Sequence, residues 1–100
     1  GGFGSNVNGG ELLFLSLATC FCNDLYREAL KRKMTIDSVE VTVAGVFGNE
    51  GEPATEISYQ VKVKAPNHLQ HEISELIKFV DSIAEIHNTL RKGIHIDLIG

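Results

Sequence analysis

Residues Leu12, Leu13, Phe14, Leu15, Leu17, Ala18 and Phe21 put apolar side chains on almost every side of a helical wheel, whereas Asp24, Arg27, Glu28 and Lys31 give the next turns a polar stripe. Neither Gly nor Pro interrupts Glu11 to Lys33, so one long helix is predicted across both halves. Asn8 or a nearby Gly can cap its start, and Arg27, Lys31, Arg32 and Lys33 gather where the helix dipole favours cations. Its first half needs cover on nearly all sides. Farther on, Val39, Val41, Val43 and Phe47 alternate with Glu40, Thr42 and Ala44, and Ile57, Tyr59, Val61 and Val63 alternate with Ser58, Gln60, Lys62 and Lys64. This period of two predicts a pair of half-buried strands, and the turn-rich GNEGEPAT between them (48–55) makes an antiparallel hairpin.

Pro66 and Asn67 close the second strand and open another helix, with Leu69, Ile73, Leu76, Ile77 and Val80 on one face. Ser82 and Glu85 read as an S-x-x-E capping box that starts a short helix through Ile83, Ile86 and Leu90, ending at Gly93. Ile94, Ile96 and Leu98, alternating with His95 and Asp97, then predict a closing strand. The order α, β, β, α, α, β implies an α+β fold with helices on one face of a three-stranded sheet. A sheet this narrow beside so apolar a helix calls for more chain, a second subunit, or both.

The chain's 100 residues, 43% of them hydrophobic, suit one domain with one core. A formal net charge of -4, with Lys and Arg scattered, argues against nucleic acid and anionic membrane as partners. No apolar run approaches the roughly 20 residues that span a bilayer, and the Gly-rich start lacks the regions of a signal peptide, so a cytoplasmic location is expected.

Cys20 and Cys22 lie in the same predicted helix, where residues two apart point about 200° away from each other, so a disulfide between them would need a distorted helix and is not expected. On the wheel Cys22 shares a side with Leu25, Tyr26 and Ala29 and reads as core, while Cys20 aligns with Leu13, Ser16, Asp24 and Arg27. The pattern leaves two readings of Cys20. It is a buried structural thiol, as free cysteines generally are, or a nucleophile at the border of the apolar and charged stripes, where Arg27 favours its ionisation and Asp24 opposes it. His68 and His71, one turn apart, have no fixed relation to His87 or His95, and HLQH lacks the Glu of a metalloprotease motif, so no metal site is expected and the histidines read as solvated. No cofactor motif is present, since GGFGSNVNGG lacks both the Walker lysine and a preceding strand.

The segment GGFGSNVNGGELLFLSLATCFCNDL (1–25) resembles the Gly-rich turn and E-L-L-x-x-x-L-A-x-C helix of the OsmC/Ohr family, the osmotically inducible and organic-hydroperoxide-resistance proteins. SVEVTVAGVFG, ISYQVKVKAP and HNTLRKGIHIDL resemble, in order, that family's hairpin strands and its N-T-L-R turn into a closing strand. The resemblance covers essentially the whole chain, and it implies one OsmC-like domain over 1–100 without the family's N-terminal strands. It also implies an intimately wound homodimer and, for the active members, reduction of organic hydroperoxides by a peroxidatic cysteine. Such a cysteine is ionised by an Arg held by a Glu, and its sulfenic acid is resolved by a second cysteine.

Cys20 matches the peroxidatic position, and Ala84, seven residues before Arg91, stands where the resolving cysteine would be. Glu11, nine residues before Cys20, fits the branch with E-L-L and is a candidate for orienting an activating Arg; the Glu of the hydroperoxide branch would fall at Gly10. The implied activity is that of a single-cysteine, thiol-dependent peroxidase acting on a small organic hydroperoxide with an external thiol as reductant. The alternative is a non-catalytic homodimer that binds an apolar ligand or is purely structural.

Overall fold

A computed structural model describes residues 8–100. Helix α1 (Gly9–Lys31) is followed by strands β1 (Ser38–Phe47) and β2 (Ala54–Lys64), then helices α2 (Gln70–Ile83) and α3 (Glu85–Lys92). The long helix starts at Gly9, two residues before Glu11, with Asn8 as its cap: the Asn8 side chain accepts hydrogen bonds from the backbone N–H groups of Gly10 and Glu11 at 2.8 and 3.2 Å. It ends at Lys31 rather than Lys33. Lys33 donates to the Leu30 carbonyl and Met34 to that of Ala29, and this Schellman closure places Lys33 at φ 57°, a conformation that favours glycine. Lys33→Gly is accordingly expected to stabilise the fold by about 0.5–1 kcal/mol, measured as a higher urea midpoint with an unchanged slope.

β1 and β2 pair antiparallel, Ser38 opposite Lys64 and Val43 opposite Tyr59, until the register shifts between Ala44 and Val46. A bulge inserts one extra residue on the β2 side, where Glu56 sits at φ 53°. Up to the bulge, Val39, Val41 and Val43 face Tyr59, Val61 and Val63 on the half-buried side of the hairpin. Beyond it Phe47, which the alternation assigned to the inner face, is 48% exposed and packs against Phe14 with ring centroids 5.6 Å apart. The core lies between the hairpin and the helices, with Phe21, Leu25 and Ala29 of α1 against Leu76 and Val80 of α2.

Several expectations are corrected. Ile94, Ile96 and Leu98 form no strand; they are 59, 90 and 99% exposed, and the sheet among the described residues has two strands. Their alternation is the correct pattern for a strand, but the chain after α3 does not run along either outer edge of the hairpin, and both edges stay unpaired among the described residues. Ser82 does not cap α3. It belongs to α2, its hydroxyl donates to the Phe79 carbonyl at 2.5 Å, and Ala84 joins the two helices in an extended conformation at φ -64°, ψ 114°. Leu69, assigned to the inner face of α2, lies outside the helix as its N-cap and is 63% exposed. Gly93 ends α3 at φ 63°, as predicted.

Helix α1 buries a different stripe from the one its composition suggests. Leu17, Phe21, Asp24, Leu25, Glu28 and Ala29 face inward, while Leu12, Leu15, Tyr26 and Leu30 stay between 47 and 78% exposed. Asp24 and Glu28 tolerate burial because each is paired. Glu28 accepts from Lys31 at 3.0 Å, Arg27 at 3.2 Å and Arg32 at 3.1 Å, and these cations, Lys31 foremost, hold its carboxyl down at about 2. No helix among the described residues is long and apolar enough to cross a membrane.

Candidate functional site

Two neighbouring features of α1 carry the chemistry: the Cys20–Asp24 pair, and a cavity that begins at Leu17 one turn earlier. The Cys20 thiol donates to Asp24 Oδ2 at 3.7 Å, and Arg27 Nη1 donates to Asp24 Oδ1 at 2.9 Å. These positions are four and three residues apart along one helix face, so the helix alone sets the order thiol, carboxylate, guanidinium. Arg27 also donates to Glu28, which leaves a carboxylate, not a cation, beside the sulfur.

Both cysteines are free and half-buried. Cys22, read as core, is therefore only partly so: Tyr26, on its side of the wheel, is 47% exposed, and burial still pushes the Cys22 thiol up from its ordinary range. The helix runs unbroken through both residues and keeps the thiols on different sides.

Ala84 is fully buried at the corner between α2 and α3, and its carbonyl accepts the Asn88 N–H at 2.9 Å. No thiol stands there. Glu11 lies exposed in the first turn of α1, where its carboxylate complements the helix dipole. Gly10 could not carry a glutamate without rearrangement, since a Cβ there would come within 2.8 Å of the Phe47 ring. The structure thus brings Cys20 together with Asp24 and Arg27, and does not bring it together with Ala84 or Glu11 through any contact.

The cavity, about 280 Å³, lies between α1, β2 and α3 and is lined by Leu17, Ile57, Tyr59, His87, Leu90 and Arg91, with residues 54–56 at the bulge. Arg91 of α3 reaches to α2, donating to Asp81 Oδ1 at 2.7 Å and to the Asp81 carbonyl at 3.0 Å. Tyr59 donates its hydroxyl to the same Asp81 oxygen, and burial, then this carboxylate, push the phenol well above its ordinary value. His87 is 4% exposed and packs edge-on against Tyr59, ring centroids 4.7 Å apart.

Reading the histidines as solvated was wrong for His87. Its place three residues after Ala84 on a short, polar-looking helix gave no warning, and the apolar residues beside it give none either, since Ile86 and Leu90 are themselves 36 and 43% exposed. Among the others, His68 is half-buried and accepts the Thr35 N–H at 3.0 Å, while His71 and His95 are exposed.

Comparison with known proteins decides the family. The profile described as OsmC-like protein matches residues 2–99. The chain belongs to the OsmC-like family. Solved structures of OsmC-like proteins share its fold. That of an OsmC-like protein from Mycoplasma pneumoniae has a TM-score of 0.77 at 24% identity over 88% of this chain. An organic hydroperoxide resistance protein OsmC from Legionella pneumophila gives 0.64 at 20% identity over 91%, and an OsmC-like protein from Vibrio cholerae 0.65 at 17% over 84%. The chain spans 64, 66 and 58% of these three proteins, respectively. Comparison with curated protein sequences finds no match. For the OsmC-like chain, α1 and the β1–β2 hairpin are the elements that the sequence resemblance placed correctly, and the closing strand is the one it did not.

Proposed function

We propose that this OsmC-like chain reduces organic hydroperoxides through Cys20, with Asp24 as the acceptor of the thiol proton. The observation that carries this reading is the hydrogen bond from Cys20 Sγ to Asp24 Oδ2, which points the proton at a carboxylate whose other oxygen is held by Arg27. A thiolate is the attacking species, so a base one helical turn away supplies what a nearby cation supplies in the resembled peroxidases.

Cys20 gives its proton to Asp24, and the thiolate attacks the terminal oxygen of the hydroperoxide. The O–O bond breaks as the S–O bond forms. The departing alkoxide takes the proton back from Asp24, leaving an alcohol and Cys20 sulfenic acid. With Ala84 at the resolving position, an external thiol condenses with the sulfenic acid, releasing water, and a second thiol frees Cys20 as the reagent leaves as a disulfide.

Glu11 fits the role of holding an Arg contributed from outside the described residues. The exposed stripe of Leu12, Leu15, Tyr26 and Leu30 on α1 fits a second copy of the chain, in keeping with the homodimer that the family resemblance implies. A non-catalytic binding or structural dimer is the second reading, favoured by the carboxylate beside Cys20 and by the buried methyl of Ala84.

Intact-mass measurement after a stoichiometric pulse of an organic hydroperoxide separates the two. The expected product is one added oxygen, about 16 Da, on Cys20, converted to a mixed disulfide by added thiol and never to an internal disulfide. Cys20→Ser should abolish the shift and Cys22→Ser should retain it. Oxidation of Cys20 no faster than that of free cysteine would leave the second reading.

A further inference from the structure

The connection from α1 to β1, residues 32–37, is held by a short series of hydrogen bonds. Lys33 and Met34 donate to the Leu30 and Ala29 carbonyls at the end of α1, and Asp37 N–H donates to the Lys64 carbonyl of β2 at 2.8 Å. Between these ties, Thr35 N–H donates to His68 Nε2 at 3.0 Å, a contact across 33 residues of sequence. His68 stands in the turn before α2, and its own N–H donates to the Ala65 carbonyl at 3.0 Å, so the ring projects from a closed turn. Met34 and Ile36, on either side of Thr35, pack against the core cluster. Lys33 at φ 57° leaves the same connection under local backbone strain.

An imidazole nitrogen accepts a hydrogen bond only while it carries no proton, so the contact with Thr35 fixes the tautomer. Nε2 is bare, and the one proton of the neutral ring is on Nδ1. Nδ1 faces Glu72 of α2, whose Oε2 lies 3.9 Å away while its Oε1 accepts the Leu69 N–H at 3.1 Å. The other charged or titratable groups on the segments that meet here are Arg32, Lys33 and Asp37 in the connection, Lys64 at the end of β2, and His71 and Glu75 on α2. Arg32 is turned to Glu28 and to the face of the Phe79 ring, and among the described residues Glu72 is the carboxylate that pairs with His68.

A second proton on His68 lands on Nε2 and sets one N–H against another, donor against donor, at Thr35. The same positive charge draws the ring toward Glu72, which the Leu69 N–H holds in place. The connection therefore yields, and the ring does not. We propose that His68 is a pH-sensitive latch: uncharged, it fastens the 32–37 connection to the turn before α2, and protonated, it stays with Glu72 and releases Thr35. Histidine is the side chain whose charge ordinarily changes between pH 5 and 8, so the release falls in that interval. Arg32 and Met34 from one side and Glu72, Glu75 and Phe79 from the other line a groove of about 440 Å³, which the release opens further. The latch makes no use of Cys20, so it stands or falls apart from the peroxidase reading.

Amide hydrogen exchange of the wild-type chain at pH 7.5 and 5.5, corrected for the intrinsic effect of pH on exchange, tests it; ordinary carboxylates stay charged at both values. Protection of the Thr35 amide should fall by about 3- to 10-fold at the lower pH, the worth of one hydrogen bond, whereas that of Asp37, bonded to a carbonyl, should change by less than about 2-fold. His68→Gln brings a carbonyl oxygen close to the place of Nε2, one that accepts at either pH, and should keep the Thr35 protection constant within about 2-fold. Imidazole ¹⁵N spectra at pH 7.5 should show the His68 proton on Nδ1. Should the variant fail to fold, the wild-type comparison of Thr35 with Asp37 decides alone. Equal Thr35 protection at the two pH values overturns the latch, as does a fall that Asp37 shares, a fall that persists in His68→Gln, or a proton on Nε2 at pH 7.5.

Discussion

Asp24→Asn should slow the oxidation of Cys20 by an organic hydroperoxide by about 10²- to 10⁴-fold, the usual contribution of a positioned proton acceptor. The amide keeps the size of the carboxylate and leaves a carbonyl oxygen for Arg27, which donates to Asp24 Oδ1 at 2.9 Å, but it cannot take the thiol proton. The rate is read by quenched-flow mass analysis of the sulfenate under excess peroxide. A faster reaction in the variant would mean that the carboxylate only repels a negative sulfur, and the proposed role of Asp24 would be withdrawn. The direction of the change therefore distinguishes a base from an obstacle, which the hydrogen-bond distance alone does not.

Phe21→Ala should cost about 3–5 kcal/mol, the range for removing a buried aromatic ring. Phe21 is fully buried, belongs to the cluster with Leu25, Ala29, Leu76 and Val80, and meets the Tyr59 ring at 5.3 Å and the His87 ring at 6.2 Å. At about 4–8 °C per kcal/mol for a chain of this size, the melting temperature should fall by about 12 °C or more. A loss under about 1 kcal/mol in urea titration would show that the ring is not the keystone of the helix–hairpin contact. Because the same ring backs His87, the cavity should also widen in the variant.

Periodicity made the helices and the hairpin legible. Asn8 as cap, the strands around Val39–Phe47 and Ile57–Lys64, and Gly93 as helix stop all rest on local signals, and local signals are what a lone chain displays. Whether an alternating segment becomes a strand depends instead on whether the fold carries it alongside an open sheet edge, so Ile94, Ile96 and Leu98 were misjudged. The inward stripe of α1 was obscured by its first half, where nearly every residue is apolar and the wheel has no preferred side. Asp24 and Glu28, buried beneath their exposed cations, looked like the wet face. At the candidate site Cys20 and its relation to Asp24 were visible as a spacing of four, since both lie on one helix. His87 was not, because its burial comes from a meeting of α1, β2 and α3 that no spacing records.

The approach of Phe14 to Gly45 reaches beyond packing. A Cβ at position 45 would lie 2.7 Å from the Phe14 ring edge and 3.1 Å from Ile57 Cγ1, so the ring occupies the room that any other residue there would need. Positions 14 and 45, 31 residues apart, consequently cannot drift independently. A lineage that acquires a side chain at 45 has first, or at once, to turn aside or shorten the residue at 14. The fold carries in this way a historical constraint, one in which the order of substitutions matters as much as their identity.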